Sequence, residues 1–504
     1  MPVVPELIGL AGGAVAWEAV DALARPRRGI FGGSPAAIPG RAIVSLLLLG
    51  AWLGLFGRFW FALAASLVTL AILVAISNAK RRSLYEPLVF SDFAFILPML
   101  RHPSLFYIER REGSALIGGA ALLVAVIAAW VGIEPRSLPV PAQLALLAGE
   151  AALLGVAAFV PWPKALTFAD PCDPRDTIRR FGLALSLPTA WLRWRGEGRR
   201  PLPAPPSDDP REDVDAVVVV QSESFMDLRR IGIATELPEF DRLRPRALAH
   251  GLLEVPCFGA YTLRPEISAI TGLGAEEQSF DGLHPYLRPR RFAPSSLAAA
   301  LRRRGWRTVF LHPYDERFFR RREAIPALGF ERFIGRRDLP DAERCGYYIS
   351  DAAVAGVIED ELRRARADGM RLFLVCVTME AHDPYRPGRV PGKDSPLQQY
   401  LHHIGHADAM LARLAAHFDS AAERVLLAFY GDHAPVLQEV DPERERRTDF
   451  MILDCGRAAP RESGGSVAPV QWRPEQINRF IRSWLGRDSL EAAAQGTEVA
   501  HDPS

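Results

Sequence analysis

Cysteine is scarce in this 504-residue chain, and no two cysteines are closely spaced. The five cysteines are Cys172, Cys257, Cys345, Cys376 and Cys455, without a C-x-x-C pair. This spacing indicates neither a zinc knuckle nor a disulfide framework. Net charge is also almost absent, because 60 Lys and Arg side chains face 59 Asp and Glu side chains. That balance argues against a nucleic-acid-binding protein.

Charged side chains are missing from long stretches of the amino-terminal third. Residues 42–77 contain only Arg58 as a charged side chain, and Ser114–Ile133 contain none. A transmembrane helix needs about 20 mostly apolar residues. We therefore expect two short spans in 42–77 with a turn at Gly57 and Arg58, and one span each in Ser114–Ile133 and Leu138–Val160. These spans define a transmembrane helical domain over residues 1–163.

The composition changes again between this domain and the rest of the chain. Residues 164–213 form a juxtamembrane connector in which arginines alternate with Trp191, Trp194 and leucines, a mixture typical of a lipid interface. The connector ends in the proline-rich, acidic stretch PLPAPPSDDPRED, which marks a domain boundary. Residues 214–486 then form a soluble domain, and residues 487–504 are predicted to be a disordered tail.

Four short apolar runs in residues 214–486 each lead into ionisable side chains. Ala216–Val220 leads into Glu223, Thr308–Leu311 into His312, Leu372–Val377 into Glu380 and His382, and Val425–Tyr430 into Asp432 and His433. Runs of this kind predict strands buried on both faces of a parallel sheet.

Helices are predicted between these strands and after them, at residues 295–304, 351–368, 397–418 and 474–485. The alternation of strands and helices predicts an α/β domain with a doubly wound, mainly parallel sheet. Ligands of such sheets bind beyond the carboxyl ends of the strands, where the acids and histidines fall.

The stretch GAYTLRPEISAITGL, residues 259–273, carries the candidate nucleophile Thr262. A threonine hydroxyl needs a base or a metal ion to lower its pKa. Glu223, Asp432 and His433 supply two carboxylates and an imidazole, a donor set suited to manganese, magnesium or zinc. The alternatives are that these three are caps or satisfied core polar groups, and that Thr262 is a turn threonine ahead of Pro265.

Several ordered motifs resemble one known family. They are QSES at 221–224, G-x-x-T-x-R-x-E followed by TGL at 259–273, MEAHDPY at 379–385 and FYGDHAP at 429–435. Over residues 214–455 the chain resembles the lipoteichoic acid synthase and phosphoglycerol transferase branch of the alkaline phosphatase and sulfatase superfamily. The resemblance implies amino-terminal transmembrane helices followed by a sulfatase-type catalytic domain. It also implies that Val3–Leu23 is a further span, which makes about five.

The resemblance assigns roles to individual residues. Thr262 would be the catalytic nucleophile, and its oxygen would join Glu223, Asp432 and His433 around one divalent metal, Mn²⁺ in the first place, with Mg²⁺ or Zn²⁺ as alternatives. Arg264 and Arg321 would clamp the phosphate, because arginine makes forked contacts with phosphate oxygens. The other substrate-binding candidates are His312, Phe319 and His382. Asp383, where the family more often has glycine, and Phe319, where tryptophan is commoner, leave the donor and the acceptor open.

The function implied is that of a membrane-anchored phosphoglycerol transferase. It would move glycerol phosphate from phosphatidylglycerol to a glycan or polyglycerol phosphate acceptor through a phosphothreonine intermediate, without a nucleic-acid partner. The alternatives are a phosphoethanolamine transferase, a phosphodiesterase or sulfatase-like hydrolase, and a catalytically silent envelope-assembly scaffold. The sulfatase maturation motif C-x-P-x-R is absent, because Phe, Gly and Ala follow Cys257.

The implied location is the cell (inner) membrane, with a multi-pass anchor and a periplasmic or extracellular catalytic domain. The loop from Asn78 to Gly113 carries several lysines and arginines, and counting positive charges in loops would instead place it and the catalytic domain inside. We follow the resemblance in expecting the outer side.

Overall fold

A computed structural model describes residues 3–95, 126–159, 168–198, 202–203, 213–441, 444–456 and 467–486. The chain divides into two compact units, residues 1–200 and 201–504. Residues 199–201 and 204–212 of the connector and the predicted tail at 487–504 lie outside the described residues. The division into a membrane domain, a connector, a catalytic domain and a tail therefore stays a prediction.

The first unit is helical wherever it has regular structure in its described part. Its helices are α1 (Val3–Asp21), α2 (Ala37–Phe56), α3 (Phe59–Leu84), α4 (Val140–Phe159), α5 (Pro174–Phe181) and α6 (Leu183–Glu197), with a further helical stretch at residues 126–133.

Three of these helices are long and apolar enough to cross a membrane: Ala37–Phe56, Phe59–Arg82 and Val140–Phe159. The first two match the pair of spans expected in 42–77, and Gly57 makes the turn between them at a φ of 67°. The third matches the span expected in Leu138–Val160. Residues 114–125 of the span expected in Ser114–Ile133 lie outside the described residues.

Helix α1 coincides with the expected span Val3–Leu23. Among the described residues, it is not one of the helices that meet the criterion of length and apolarity for crossing a membrane. Its end carries Glu18 and Asp21, which form ion pairs with Arg28, and Glu18 also pairs with Arg41. These charges are thus satisfied inside the unit. A total of five spans stays a prediction.

The second unit is built around one eight-stranded sheet with the order β10-β2-β9-β8-β1-β7-β3-β4. The strands are β1 (Ala216–Ser222), β2 (Ala249–Glu254), β3 (Arg307–Leu311), β4 (Arg332–Ile334), β7 (Leu372–Val377), β8 (Arg424–Gly431), β9 (Arg447–Gly456) and β10 (Val470–Trp472), while β5 (Arg344–Cys345) and β6 (Tyr348–Ile349) form a separate hairpin.

All neighbouring strands of the large sheet pair in parallel except where β9 meets β2 and β8. One antiparallel strand in eight confirms the prediction of a mainly parallel sheet. The apolar runs became strands because they are buried on both faces: every residue of β1, β7 and β8 is buried.

Helices of the second unit connect these strands. They are α7 (Pro238–Leu243), α8 (Leu263–Thr271), α9 (Ala275–Gln278), α10 (Leu297–Arg303), α11 (Arg321–Ala327), α12 (Asp351–Ala367), α13 (Pro396–Ser420) and α14 (Pro474–Leu485). Four of them fall where the sequence predicts helices. Helix α13 packs with α7 and α12, whereas α8 packs against α14.

The register of the central strands brings the chemistry-bearing motifs side by side. Ser222 of β1 pairs with Gly431 of β8, and Gln221 pairs with Tyr430 on one side and with Val377 on the other. Residues that follow these strands must therefore emerge together at the carboxyl edge of the sheet.

Candidate active site

Glu223, Asp432 and His433 meet at this edge. All three are buried, with exposed fractions of 1%, 0% and 3%. Their candidate ligand atoms lie within 4.8 Å of one another, and His433 Nε2 lies 3.3 Å from Glu223 Oε1 and 3.5 Å from Asp432 Oδ2. Among the described residues, Glu223 Oε2, Asp432 Oδ2 and His433 Nε2 have no hydrogen-bond partner. Buried polar atoms without partners are costly, so their convergence fits a bound cation.

The pKa shifts of Glu223 and His433 also fit a bound cation. Burial and the neighbouring charge of Asp432 raise the pKa of Glu223 to about 7. Burial lowers the pKa of His433, but the charges of Asp432 and Glu223 outweigh it, so the pKa is raised. Two buried carboxylates repel each other, and a divalent cation between them would remove that repulsion.

Ser224 fixes the orientation of the Glu223 and Asp432 carboxylates. Its backbone N–H donates to Asp432 Oδ1 at 2.8 Å, and its hydroxyl donates to Glu223 Oε1 at 2.9 Å. It adopts a φ of 55°, and Tyr400 donates a hydrogen bond to its carbonyl oxygen. A non-glycine residue in the left-handed region is held there by its surroundings. The remaining oxygens, Glu223 Oε2 and Asp432 Oδ2, are thereby left for a ligand.

Thr262 directly precedes α8 and has an exposed fraction of 7%. Its carbonyl oxygen accepts a hydrogen bond from Gln221 Nε2 at 3.1 Å, and Tyr430 donates to Gln221 Oε1 at 2.5 Å. One amide side chain thus ties the start of α8 to the ends of β1 and β8. Glu223 stands two residues beyond Gln221, and Asp432 stands two residues beyond Tyr430. Thr262 is therefore tied to the segments that carry the cluster.

Arg321 and His312 form a second buried group next to α8. Arg321 Nη2 pairs with Glu266 Oε2 at 2.7 Å, and its Nη1 lies 3.2 Å from His312 Nε2. His312 Nδ1 lies 3.1 Å from the carbonyl oxygen of Val377. Burial and the charge of Arg321 lower the pKa of His312 well below its usual value. Both ring nitrogens are engaged here, and the substrate-binding roles of His312 and Arg321 stay predictions.

Phe319 contacts Arg321, and Arg264 lies on α8 together with Glu266. Phe319 has a φ of 54°, and the Arg321 guanidinium lies 5.4 Å from its ring centroid. Arg264 is buried in the first turn of α8, with its guanidinium 4.2 Å from the ring centroid of Tyr261 and its Nε donating to the carbonyl oxygen of Leu283. Their contacts with phosphate and glycerol stay predictions.

His382 follows β7 and is half-buried. Its Nδ1 lies 2.6 Å from the carbonyl oxygen of Asp383 and 3.1 Å from Asp383 Oδ1. Burial lowers its pKa, but the charges of Glu223 and Asp383 outweigh this and raise the pKa to about 10. Asp383, a departure from the family motif, therefore orients the ring through Nδ1. The substrate-binding role of His382 stays a prediction.

Sequence reasoning missed Gln221, Ser224, Glu266 and Tyr430 as parts of the site. The first two stand inside QSES and Glu266 stands inside G-x-x-T-x-R-x-E, so the motifs contained the signal. Their roles depend on contacts more than 40 residues apart in the chain, as between Gln221 and Thr262.

The mainly parallel sheet, with an acid and histidine cluster at its carboxyl edge and a threonine at the start of the adjacent helix, defines a domain of the alkaline phosphatase and sulfatase type. The chain belongs to the Sulfatase family, because the sequence model of that family matches residues 215–478. The superfamily inferred from the motifs is thereby confirmed.

One relative is similar over nearly the whole chain. The capsular polysaccharide biosynthesis protein RkpI of Rhizobium meliloti (strain 1021) is 32% identical over 473 residues, which cover 88% of this chain and 86% of the relative.

Two solved structures are similar to part of this chain at low identity. The phosphoglycerol transferase GacH of Streptococcus pyogenes, in complex with sn-glycerol-1-phosphate, is 17% identical over 59% of this chain and 83% of that chain, with a TM-score of 0.46. The lipoteichoic acid synthase LtaP of Listeria monocytogenes is 18% identical over 57% of this chain and 76% of that chain, with a TM-score of 0.44.

Proposed function

We propose that this protein is a membrane-anchored phosphotransferase that moves glycerol phosphate from phosphatidylglycerol to a hydroxyl group of an envelope polysaccharide or polyglycerol phosphate. The observation that carries the proposal is the convergence of three buried donor atoms without partners, Glu223 Oε2, Asp432 Oδ2 and His433 Nε2. A catalytically silent scaffold has no need to retain such a costly arrangement.

The donor set suits one divalent metal. Two carboxylates and an imidazole are hard to borderline ligands, which fits Mn²⁺ and also allows Mg²⁺ or Zn²⁺. When bound, such an ion favours the ionised form of a nearby hydroxyl and neutralises charge on a phosphoryl group. Glu223, Asp432 and His433 would hold it, and Ser224 would keep the two carboxylates in place.

The chain's own residues then divide the chemistry into two displacements. In the first, the ionised Thr262 Oγ1 bonds to phosphorus and the bond from phosphorus to the diacylglycerol oxygen breaks. His382 would give a proton to that departing oxygen from Nε2, since its Nδ1 faces Asp383. In the second, the acceptor hydroxyl oxygen bonds to phosphorus, the bond to Thr262 Oγ1 breaks, and the acceptor proton passes back to His382.

The substrate classes follow from the setting of the domain. The preceding unit contains three helices long and apolar enough to cross a membrane, which suits a lipid donor. The name of the Rhizobium relative places that protein in capsular polysaccharide biosynthesis, which suits a glycan acceptor. We infer that the catalytic unit works at the head-group plane on the periplasmic or outer side, where such glycans are assembled.

Mass spectrometry of the purified full-length protein tests the proposal. We expect incubation with manganese and mixed phospholipids to leave a phosphoglycerol adduct on Thr262. Thr262→Ala should bind metal and form no adduct, whereas Thr262→Ser keeps the oxygen and should retain partial activity. A phosphoethanolamine adduct would instead identify the sibling transferase.

Rapid release of free glycerol phosphate without an acceptor would identify a phosphodiesterase. Full activity of Thr262→Ala would refute the nucleophile. No adduct and no turnover with any lipid would favour the scaffold.

A further inference from the structure

A second group of metal-ligating side chains lies in the catalytic unit, apart from Glu223, Asp432 and His433. Cys345, His402 and His406 have candidate ligand atoms within 4.8 Å of one another. A second triad, Cys345, Glu380 and His403, shares the same thiol. We name the first triad and Glu380 the Cys345 cluster. None of its members belongs to the site described above.

Two elements supply the three candidate ligands, and Glu380 lies in the turn that follows β7. Cys345 lies in β5, opposite Tyr348 in the β5–β6 hairpin. His402 and His406 lie on α13, four residues apart, so that they project from the same face of the helix. Their ring centroids are 4.3 Å apart. Two histidines at this spacing on a helix are a recurrent way to hold a zinc ion.

The distances suit a soft cation. The Sγ atom of Cys345 lies 3.8 Å from His402 Nε2. In a tetrahedral zinc site, ligands at about 2.3 Å for sulfur and 2.0 Å for nitrogen are roughly 3.5 Å apart. The observed separation is therefore close to that of two ligands on one ion, and it is long for a strong hydrogen bond.

Glu380 orients one of the histidines. Its Oε1 lies 2.7 Å from His406 Nδ1, and its Oε2 accepts a hydrogen bond from the backbone N–H of Asp351. With Nδ1 engaged, Nε2 is the ring nitrogen of His406 that faces a ligand. A carboxylate that holds the far nitrogen of a histidine is the usual outer partner of a metal-bound imidazole.

The three ligands differ in protonation. The hydrogen bond to Glu380 raises the pKa of His406, so a metal ion must displace a proton from its ring. Burial and the neighbouring imidazoles lower the pKa of His402, which favours the neutral, ligating form. Burial and the charge of Glu380 raise the pKa of the Cys345 thiol to about 12. A metal ion must therefore displace the thiol proton, as it does when it coordinates cysteine.

We propose that Cys345, His402 and His406 form a second divalent-cation site of zinc-type chemistry, with Glu380 orienting His406 and a fourth position open. The ion would fasten the β5–β6 hairpin to α13. That hairpin carries Tyr348, whose hydroxyl lies 3.4 Å from His382 Nδ1. The site would therefore stabilise the neighbourhood of His382 without taking part in the chemistry.

Cobalt substitution of the full-length protein, purified without a polyhistidine tag, tests the site. Cobalt bound to a thiolate gives a charge-transfer absorption band in the near ultraviolet, and Glu223, Asp432 and His433 offer no sulfur. We expect this band to saturate at about one cobalt per chain, and total bound metal to reach about two per chain. Asp432→Ala should lose about one equivalent and keep the band.

Cys345→Ser should lose the band and about one equivalent, while Cys172→Ser, at an exposed cysteine of the other unit, should keep both. His402→Gln gives a second variant should Cys345→Ser fold poorly, and it should bind cobalt at least 10-fold more weakly, as expected for loss of one ligand. A wild-type protein without the band at saturating cobalt, or a band that survives in Cys345→Ser, would overturn the site. Neither result depends on whether the protein transfers phosphoglycerol.

Discussion

At the scale of single residues, Gln221 is placed to position the proposed nucleophile, Thr262. Its amide nitrogen holds the carbonyl oxygen of Thr262, and its amide oxygen accepts from Tyr430. It contacts none of the three proposed metal ligands in the described contacts, so we regard it as a positioning residue. The two halves of its amide can be separated by substitution.

Gln221→Glu keeps an acceptor for Tyr430 and removes the donor to Thr262. We expect kcat to fall roughly 10- to 100-fold, because small displacements of a reacting group are costly, while bound metal stays unchanged. Tyr430→Phe, which removes only the other contact, should cost less. Steady-state kinetics and elemental analysis measure both quantities. An unchanged kcat in Gln221→Glu would remove Gln221 from the mechanism.

The metal ligands give a second prediction at this scale. Asp432→Ala or His433→Ala should abolish turnover by removing the catalytic metal while the fold persists, since each residue supplies a buried atom without another partner. Asp441→Ala, at a half-exposed carboxylate, is the matched control. Elemental analysis and circular dichroism provide the readouts. Metal bound at wild-type level in both ligand variants would refute the assignment.

At the scale of elements, the end of β8 is the most tightly constrained segment of the site. A Cβ atom on Gly431 would lie 2.0 Å from the carbonyl oxygen of Phe225. Gly431 also accepts a hydrogen bond from Thr448 in β9, and it immediately precedes Asp432. The glycine thus allows the chain after β1 to approach β8 closely enough for the metal ligands to meet.

Gly431→Ala should therefore destabilise the catalytic unit by about 1–3 kcal/mol, the usual cost of overpacking, and should also lower metal affinity. Thermal unfolding and metal titration measure the two effects. Gly356→Ala is the matched control, because the added methyl meets only the guanidinium of Arg413, at 3.5 Å. A Gly431→Ala protein with wild-type melting temperature and metal content would contradict this account.

A second contact between elements holds the carboxyl end of α8 against α14. Asn478 of α14 donates two hydrogen bonds to the carbonyl oxygens of Ala269 and Ile270, in the last turn of α8. These carbonyls have no partner within the helix. Helix α14 fixes the end of α8 opposite to Thr262, so the helix that follows the proposed nucleophile is anchored at both ends.

At the scale of the whole molecule, the open question is which side of the membrane the catalytic unit occupies. Arginines in the loop from Asn78 to Gly113 and around Arg179 and Arg180 favour the cytoplasm by charge counting. Anionic head groups can hold interfacial arginines equally well. The proposed glycan acceptor favours a catalytic unit on the outer side of the membrane.

Cysteine labelling on intact cells tests this placement. In a Cys172→Ser background, a cysteine at Arg363, an exposed position on α12, should react with a membrane-impermeant reagent. The same background without the new cysteine is the control, because the remaining cysteines are buried or half-buried. Protection of the new cysteine until the membrane is permeabilised would overturn the placement.

The sequence by itself determined four strands of the large sheet, four helices of the second unit and the ionisable side chains that follow those strands. Uninterrupted apolar runs predicted β1, β3, β7 and β8 within two residues of their observed ends, because burial on both faces of a sheet leaves only apolar side chains in the strand. The ordered motifs predicted the candidate metal ligands, because ligands of a parallel sheet bind beyond the carboxyl ends of its strands.

Tertiary structure alone decided which distant residues meet. Cys345 lies 57 residues before His402, so no local pattern places it beside His402 and His406. Likewise, the contacts of Gln221 with Thr262 and of Arg321 with Glu266 depend on how α8 lies against the sheet. Local patterns follow from the backbone and from burial, whereas such contacts follow from the packing of elements that are far apart in the chain.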